Sequence, residues 1–176
     1  MPDYHHQFEN VEDYLHHRLP YLMVQKIISI DDSAIVTHTK VSKDAFFLNG
    51  HFPGAPTVPG AMMQELATQS AGILIAARFN PMKKFDTHDP FANEYALGVL
   101  VRVKNARYRH FARHGDKLVC RVELTDRIND LFSFLASVSA HDQQLMRIEF
   151  QLTNIKSAVL TGEPSPVSTL AVSQTE

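Results

Sequence analysis

Two strands, one long apolar helix and then a run of four strands predict an α+β domain whose antiparallel sheet wraps around a single central helix. Three observations carry that prediction. The stretch from Ala61 to Ala77 is long and free of proline, and its apolar character is broken chiefly by Gln64, Glu65 and Gln69. A helix that is apolar nearly all round must be buried on most sides. The later strand candidates follow one another without intervening helices, which favours an antiparallel sheet over a doubly wound one. Finally, Phe132, Phe134, Ala136 and Val138 alternate with Ser133, Ser137 and Ser139, the period of a half-buried strand.

Taken in order, Asn10-Val11-Glu12-Asp13 has the pattern of a helix start, with Asn10 as N-cap and a helix ending before Pro20. Met23 to Ile30 and Ser33 to Lys43 read as two strands around the Asp31-Asp32 turn. A Gly/Pro-rich loop from Asn49 to Pro59 leads into the long helix. Asn80 to Asn93, with two prolines and mixed charge, reads as a surface loop. Tyr95–Arg109, Lys117–Asp126, Leu131–Ala140 and Gln144–Ile155 read as strands, and Ala140-His141-Asp142-Gln143 as the hairpin connection between the last two. Residues 1–156 are thus expected to form one domain, and 157–176, rich in Ser, Thr and Pro, a flexible tail.

Composition narrows the function classes. A chain of 176 residues suits one domain able to bury roughly 70% of its unfolded surface, so neither metal nor disulfide is needed for a core. The formal charge of −2 gives no field for nucleic acid or anionic membranes. The single cysteine, Cys120, excludes an internal disulfide, and strand alternation places it among Leu118, Val122 and Leu124 as a small buried hydrophobe. The polar start of the chain lacks a signal sequence, and the longest apolar stretch falls short of the ~20 residues that span a bilayer. The expectation is a cytoplasmic protein without membrane attachment. Ten histidines raise the question of a metal, but His5-His6 and His16-His17 are adjacent pairs whose side chains diverge, so no metal is expected.

The chemistry concentrates between Phe46 and Glu65. Prolines and glycines fix the path of the loop that carries His51, and Gly60 leaves a free N–H at the positive end of the following helix, a place for a developing negative oxygen. Glu65, one turn into that helix and flanked by Met62, Met63, Leu66 and Ala67, is expected in apolar surroundings that favour its neutral acid form. Thr68, Gln69 and Gly72 follow on about the same side of the helix. A histidine and an acidic carboxyl make a general base and general acid pair, and with an oxyanion donor they could remove a proton alpha to a thioester carbonyl and a beta hydroxyl. The spacing permits this chemistry without selecting it.

The run Gly50-His51-Phe52-Pro53-Gly54-Ala55-Pro56-Thr57-Val58-Pro59-Gly60, followed by Glu65 and Gln69, resembles the signature of the 3-hydroxyacyl-acyl carrier protein dehydratases of bacterial fatty acid synthesis. His17-Arg18-Leu19-Pro20-Tyr21-Leu22 resembles that family's first motif, and Arg107-Tyr108-Arg109 with Gly115-Asp116 its later strand and turn. The resemblance runs from about His17 to Ile155. It implies a hotdog fold, His51 as the base that takes the alpha proton, Glu65 as the acid that releases water, and the Gly60 N–H as the holder of the thioester oxygen. It also implies an acyl carrier protein as partner, no cofactor, and a homodimer with shared active sites, with a trimer of dimers as a further assembly. Glutamate at position 65 resembles the dehydratase branch; the dehydratase/isomerase branch has aspartate there. Gln25 in place of an acidic residue, His114 in place of a proline, a longer Asn80–Asn93 connection and the tail mark a divergent member.

Arg102, Lys104, Arg107, Arg109 and Arg113 form a local basic cluster that could dock an acidic carrier protein or simply be a solvated strand face. Two alternatives to the dehydratase remain: a thioesterase on the same fold, and a non-catalytic acyl-thioester binding or pairing subunit.

Overall fold

The computed structural model describes residues 2–161. Six strands form one antiparallel sheet: β1 (Lys26–Ile30), β2 (Ala34–Lys40), β3 (Leu97–Tyr108), β4 (Lys117–Ile128), β5 (Leu131–Ala140) and β6 (Gln143–Ile155), in the spatial order β1-β2-β4-β5-β6-β3. The helix α1 (Gly60–Arg78) lies against one face of the sheet and touches β2, β3, β4, β5 and β6. This is the α+β hotdog arrangement that the sequence implies. At 1.5 Å per residue, α1 is about 28 Å long. Its buried residues include the consecutive run from Leu66 to Ala71, so every side of the helix is covered there, as its all-round apolar pattern requires.

Alternation sets the sheet's inner face. Phe132, Phe134, Ala136, Val138 and Ala140 of β5 are buried, and Phe134 stacks on Phe150 of β6 at 5.5 Å. The β5–β6 connection is a two-residue turn in which His141 and Asp142 both have positive φ, the backbone that matches the twist of a hairpin. Cys120 is buried beside Thr37 and Ser70, whose hydroxyls lie 2.7 Å apart between β2 and α1. Burial pushes its thiol up to about 12. Gln25 also finds a physical reason: its amide accepts from the Lys40 N–H at 2.9 Å and donates to the Lys40 carbonyl at 3.1 Å, a clasp a carboxylate could not make.

Two expectations are corrected. The predicted N-terminal helix is only a 3₁₀ turn, Val11–Asp13, because the Asn10 side chain bonds the Asp13 carboxylate and caps no backbone N–H. Residues 80–93 are not a simple surface loop: Asn80, Phe85, Thr87 and Ala92 are buried, and Pro90–Ala92 form another 3₁₀ turn. The Arg18 guanidinium pins this segment by donating to Thr87 Oγ1 at 3.0 Å and to the Leu15 carbonyl at 2.7 Å. The chain beyond the sheet begins with a short helix, α2 (Ser157–Thr161), and the rest of the segment expected as a tail lies outside the described residues.

The two sheet edges differ. β1 is only five residues long, a feature that blunts an edge. β3 is 12 residues long and pairs only with β6, leaving its outer edge without a strand among the described residues. Leu100, Val101 and Val103 on it are exposed. No described helix is long and apolar enough to cross a membrane.

Candidate active site

The loop before α1 is built to place one imidazole. Gly50 and Gly54 take positive φ, and the Val58 N–H donates to the Ala112 carbonyl at 2.8 Å, tying the loop to the segment after β3. The His51 Nδ1 lies 2.8 Å from the Thr57 carbonyl oxygen. A carbonyl only accepts, so Nδ1 carries the proton and the neutral ring keeps its lone pair on Nε2. His51 shares a cavity of about 300 Å³ with Gly60, Met63, Tyr108 and Arg109.

Gly60 opens α1 directly after Pro59. N–H groups of a first helical turn have no partner within the helix, so this one is free to face an oxygen. The Tyr108 ring covers the residue so closely that a Cβ at position 60 would lie 2.9 Å from its Cε1. Glycine is needed here for close approach.

Glu65 lines a different cavity, of about 420 Å³, that runs along α1 past Thr68, Gln69, Gly72, Ile75 and Ala76. Its other wall is the Leu97–Leu100 stretch of β3. The surroundings of the carboxylate are more polar than its sequence neighbours suggest. Thr68 Oγ1 donates to Oε2 at 3.2 Å and Gln69 Nε2 to Oε1 at 2.9 Å, so the polar stripe at helical spacing does close on Glu65. Gln69, only 1% exposed, also donates to the Tyr21 carbonyl at 3.0 Å and accepts from the Met23 N–H at 2.8 Å. One amide therefore joins α1, the Tyr21–Met23 backbone and the carboxylate.

One chain thus brings His51 and Gly60 together and holds Glu65 in a separate cavity. Residues that sequence reading did not assign to the site also gather at Glu65. His17 Nε2 lies 3.8 Å from Oε1, and Tyr21 lines the same cavity. Both come from the His17–Leu22 motif, which was the only signal for them. Burial lowers His17, and burial also pulls neighbouring His16 down to about 4. The basic residues are dispersed: Arg102, Lys104 and Arg107 are exposed along β3, whereas Arg109, also exposed, lines the cavity that holds His51. Among the described residues, no three of His, Cys, Asp or Glu converge as metal ligands.

The chain is similar to known proteins over most of its length. A family model described as the FabA-like domain matches residues 15–149. The chain is 28% identical over 146 residues to a 3-hydroxyacyl-[acyl-carrier-protein] dehydratase FabZ of Thiobacillus denitrificans, covering 82% of this chain and 94% of that one. It is 29% identical to a FabZ of the same description from Coxiella burnetii, over 80% of this chain and 93% of the other. A solved structure, the dehydratase heterocomplex ApeI:P from Xenorhabdus doucetiae, superposes with a TM-score of 0.69 at 21% identity, covering 89% of this chain and 97% of that one. That last likeness is one of fold.

Proposed function

The chain belongs to the FabA-like domain family, and from that premise we propose that it removes water from a 3-hydroxyacyl thioester carried by acyl carrier protein, with His51 as base and Glu65 as acid. The relatives supply the reaction class: it is a divergent 3-hydroxyacyl-acyl carrier protein dehydratase. The observation that carries the assignment of roles is the His51 Nδ1 bond to the Thr57 carbonyl, which leaves Nε2 as a base in the cavity that holds Gly60.

Nε2 takes the alpha proton, the C–H electrons become the new C=C bond, and the beta C–O bond breaks. Glu65 gives its proton to the departing hydroxyl, which leaves as water. The Gly60 N–H stabilises the negative charge that builds on the thioester oxygen. Hydration runs the same steps backwards, with Glu65 ionised and His51 protonated.

The site is completed across a homodimer, each His51 working with the Glu65 of the other chain. Support comes from the separation of the two residues into different cavities and from the long open edge of β3, whose apolar residues wait for a second strand. Arg109, which lines the His51 cavity, is the basic residue best placed to meet an acidic carrier.

The test is hydration of a trans-2-enoyl thioester on acyl carrier protein, followed by loss of enone absorbance. His51→Ala and Glu65→Gln should each lose about 10²–10⁴-fold. Mixing the two inactive variants under exchange should regain up to about a quarter of wild-type activity, because half the pairs are mixed and each has one intact site. No turnover by the folded wild type would overturn the dehydratase reading. Failure of the mixture, with exchange verified, would overturn the shared site.

A further inference from the structure

The loop that carries His51 puts residues 50, 52 and 54 in the left-handed backbone region, and the outer two are glycines. At Gly50 and Gly54 a Cβ would meet nothing within 4 Å, so conformation, and no lack of room, calls for glycine there. The residue between them is Phe52, with a φ of 59°. A bulky side chain rarely stands in that region, where its Cβ crowds the backbone. Burial does not explain the choice, because the ring is 59% exposed. Nor does the turn: the Phe52 carbonyl accepts from the Ala55 N–H at 2.8 Å, a bond open to any residue at that position. What the strained backbone does bring about is a contact. In extended chain, neighbouring side chains point to opposite faces. Here the rings of His51 and Phe52 lie 4.3 Å apart, inclined by 49°, and line one cavity.

We propose that Phe52 is a positioning residue for His51, held in an unfavourable backbone so that its ring packs against the imidazole and keeps Nε2 aimed at the substrate. The hydrogen bond from Nδ1 to the Thr57 carbonyl sets the tautomer and fixes one point of the imidazole. One such bond leaves the ring free to rock about its direction, and each rocking movement carries Nε2 away from its target. A second contact, against the ring itself, removes that freedom. The two anchors differ in kind. The carbonyl is polar and holds the Nδ1 edge, whereas the phenyl ring is apolar and does not compete for the lone pair on Nε2. Strain kept beside a reacting group, on a side chain that adds little to the core, is the pattern of pre-organisation.

This role rests on the dehydratase reading, and the experiment separates the two. Hydration of a trans-2-enoyl thioester on acyl carrier protein is measured for wild type, Phe52→Asn, Phe52→Tyr and His51→Ala. Asparagine tolerates the left-handed backbone and removes the ring, and tyrosine keeps the ring. Phe52→Asn should lower kcat about ten- to a hundredfold with KM nearly unchanged. Its melting temperature should fall by no more than about 2 °C, and its oligomeric state should match wild type. Phe52→Tyr should keep most of the rate. The proposal is overturned by a Phe52→Asn variant as active as wild type, or by a Phe52→Tyr variant as slow as Phe52→Asn. A larger fall in melting temperature, or a changed oligomeric state, also overturns it, since the ring would then serve the fold or an interface. A wild type without turnover, or an active His51→Ala, instead overturns the dehydratase reading. A second measurement needs no activity. The His51 imidazole C–H signals in a proton–carbon correlation spectrum are identified by their loss in His51→Ala. The phenyl ring current acts on them, so Phe52→Asn should shift these signals and rocking should broaden them. Unchanged His51 signals overturn the proposed contact.

Discussion

Acidification from pH 7 to pH 5 should weaken the fold through His16, whose ring is folded into the wall of the Glu65 cavity with no hydrogen-bond partner for Nε2. Burial holds its pKa near 4, with His17 and Arg18 adding repulsion, against 6.5 in the unfolded chain. Above pH 6.5 the ring is neutral in both states and its contribution is complete. Between 6.5 and 4 the unfolded chain binds a proton that the folded chain refuses, so stability falls as the pH falls, and the loss levels off below 4. The full effect between pH 7 and 5 would be about 2 kcal/mol at 1.36 kcal/mol per pH unit of pKa difference. The ring is partly exposed, and solvent screening reduces this to about 1 kcal/mol. The assay is urea denaturation at both pH values and one protein concentration, for wild type and His16→Phe. Phenylalanine keeps the edge contact to Phe85, now at 6.0 Å between ring centres, and removes the unpartnered nitrogen. Wild type should lose about 1 kcal/mol more than the variant on acidification. Equal losses in the two proteins would refute the argument.

Two further substitutions probe the site's framework. Gly60→Ala drives a Cβ to 2.9 Å from the Tyr108 ring, an overpacking expected to cost about 1–3 kcal/mol; thermal melting and hydration rate should both fall, and Gly60→Ala/Tyr108→Ala should recover part of the melting temperature. Gln69→Leu strands the buried Met23 N–H and removes a donor from Glu65, which should cost about 1–3 kcal/mol in urea denaturation together with a lower kcat. A leucine variant as stable and active as wild type would show that the amide ties nothing together.

How far the sequence reaches depends on how local each interaction is. The helix and the β5 strand are legible because their burial repeats with the period of the element itself, as in Phe132, Phe134, Ala136 and Val138. The cage around Glu65 is legible for the same reason: Thr68 and Gln69 sit three and four residues further along α1. His51 and Gly60 share a short loop that turns back on itself. His17 reaches Glu65, and the Tyr21 carbonyl Gln69, across more than forty positions, and no periodicity announces such contacts. Segment 80–93 misleads because its polar residues suggest exposure, whereas a single arginine far upstream folds it down. Asn10 misleads in the opposite way: its neighbour Asp13 takes the side chain that the helix start would have used.

The open edge of β3 also bears on how such a protein comes into being. A row of unsatisfied backbone groups flanked by Val101 and Val103 accepts any extended chain that arrives first, cognate or not. For the homodimer proposed above, a newly synthesised copy would enter a race, in which finding its twin competes with capture by foreign strands. Yield should depend on how many sister chains emerge nearby, so that sparse expression in a crowded cell favours aggregates over finished enzyme.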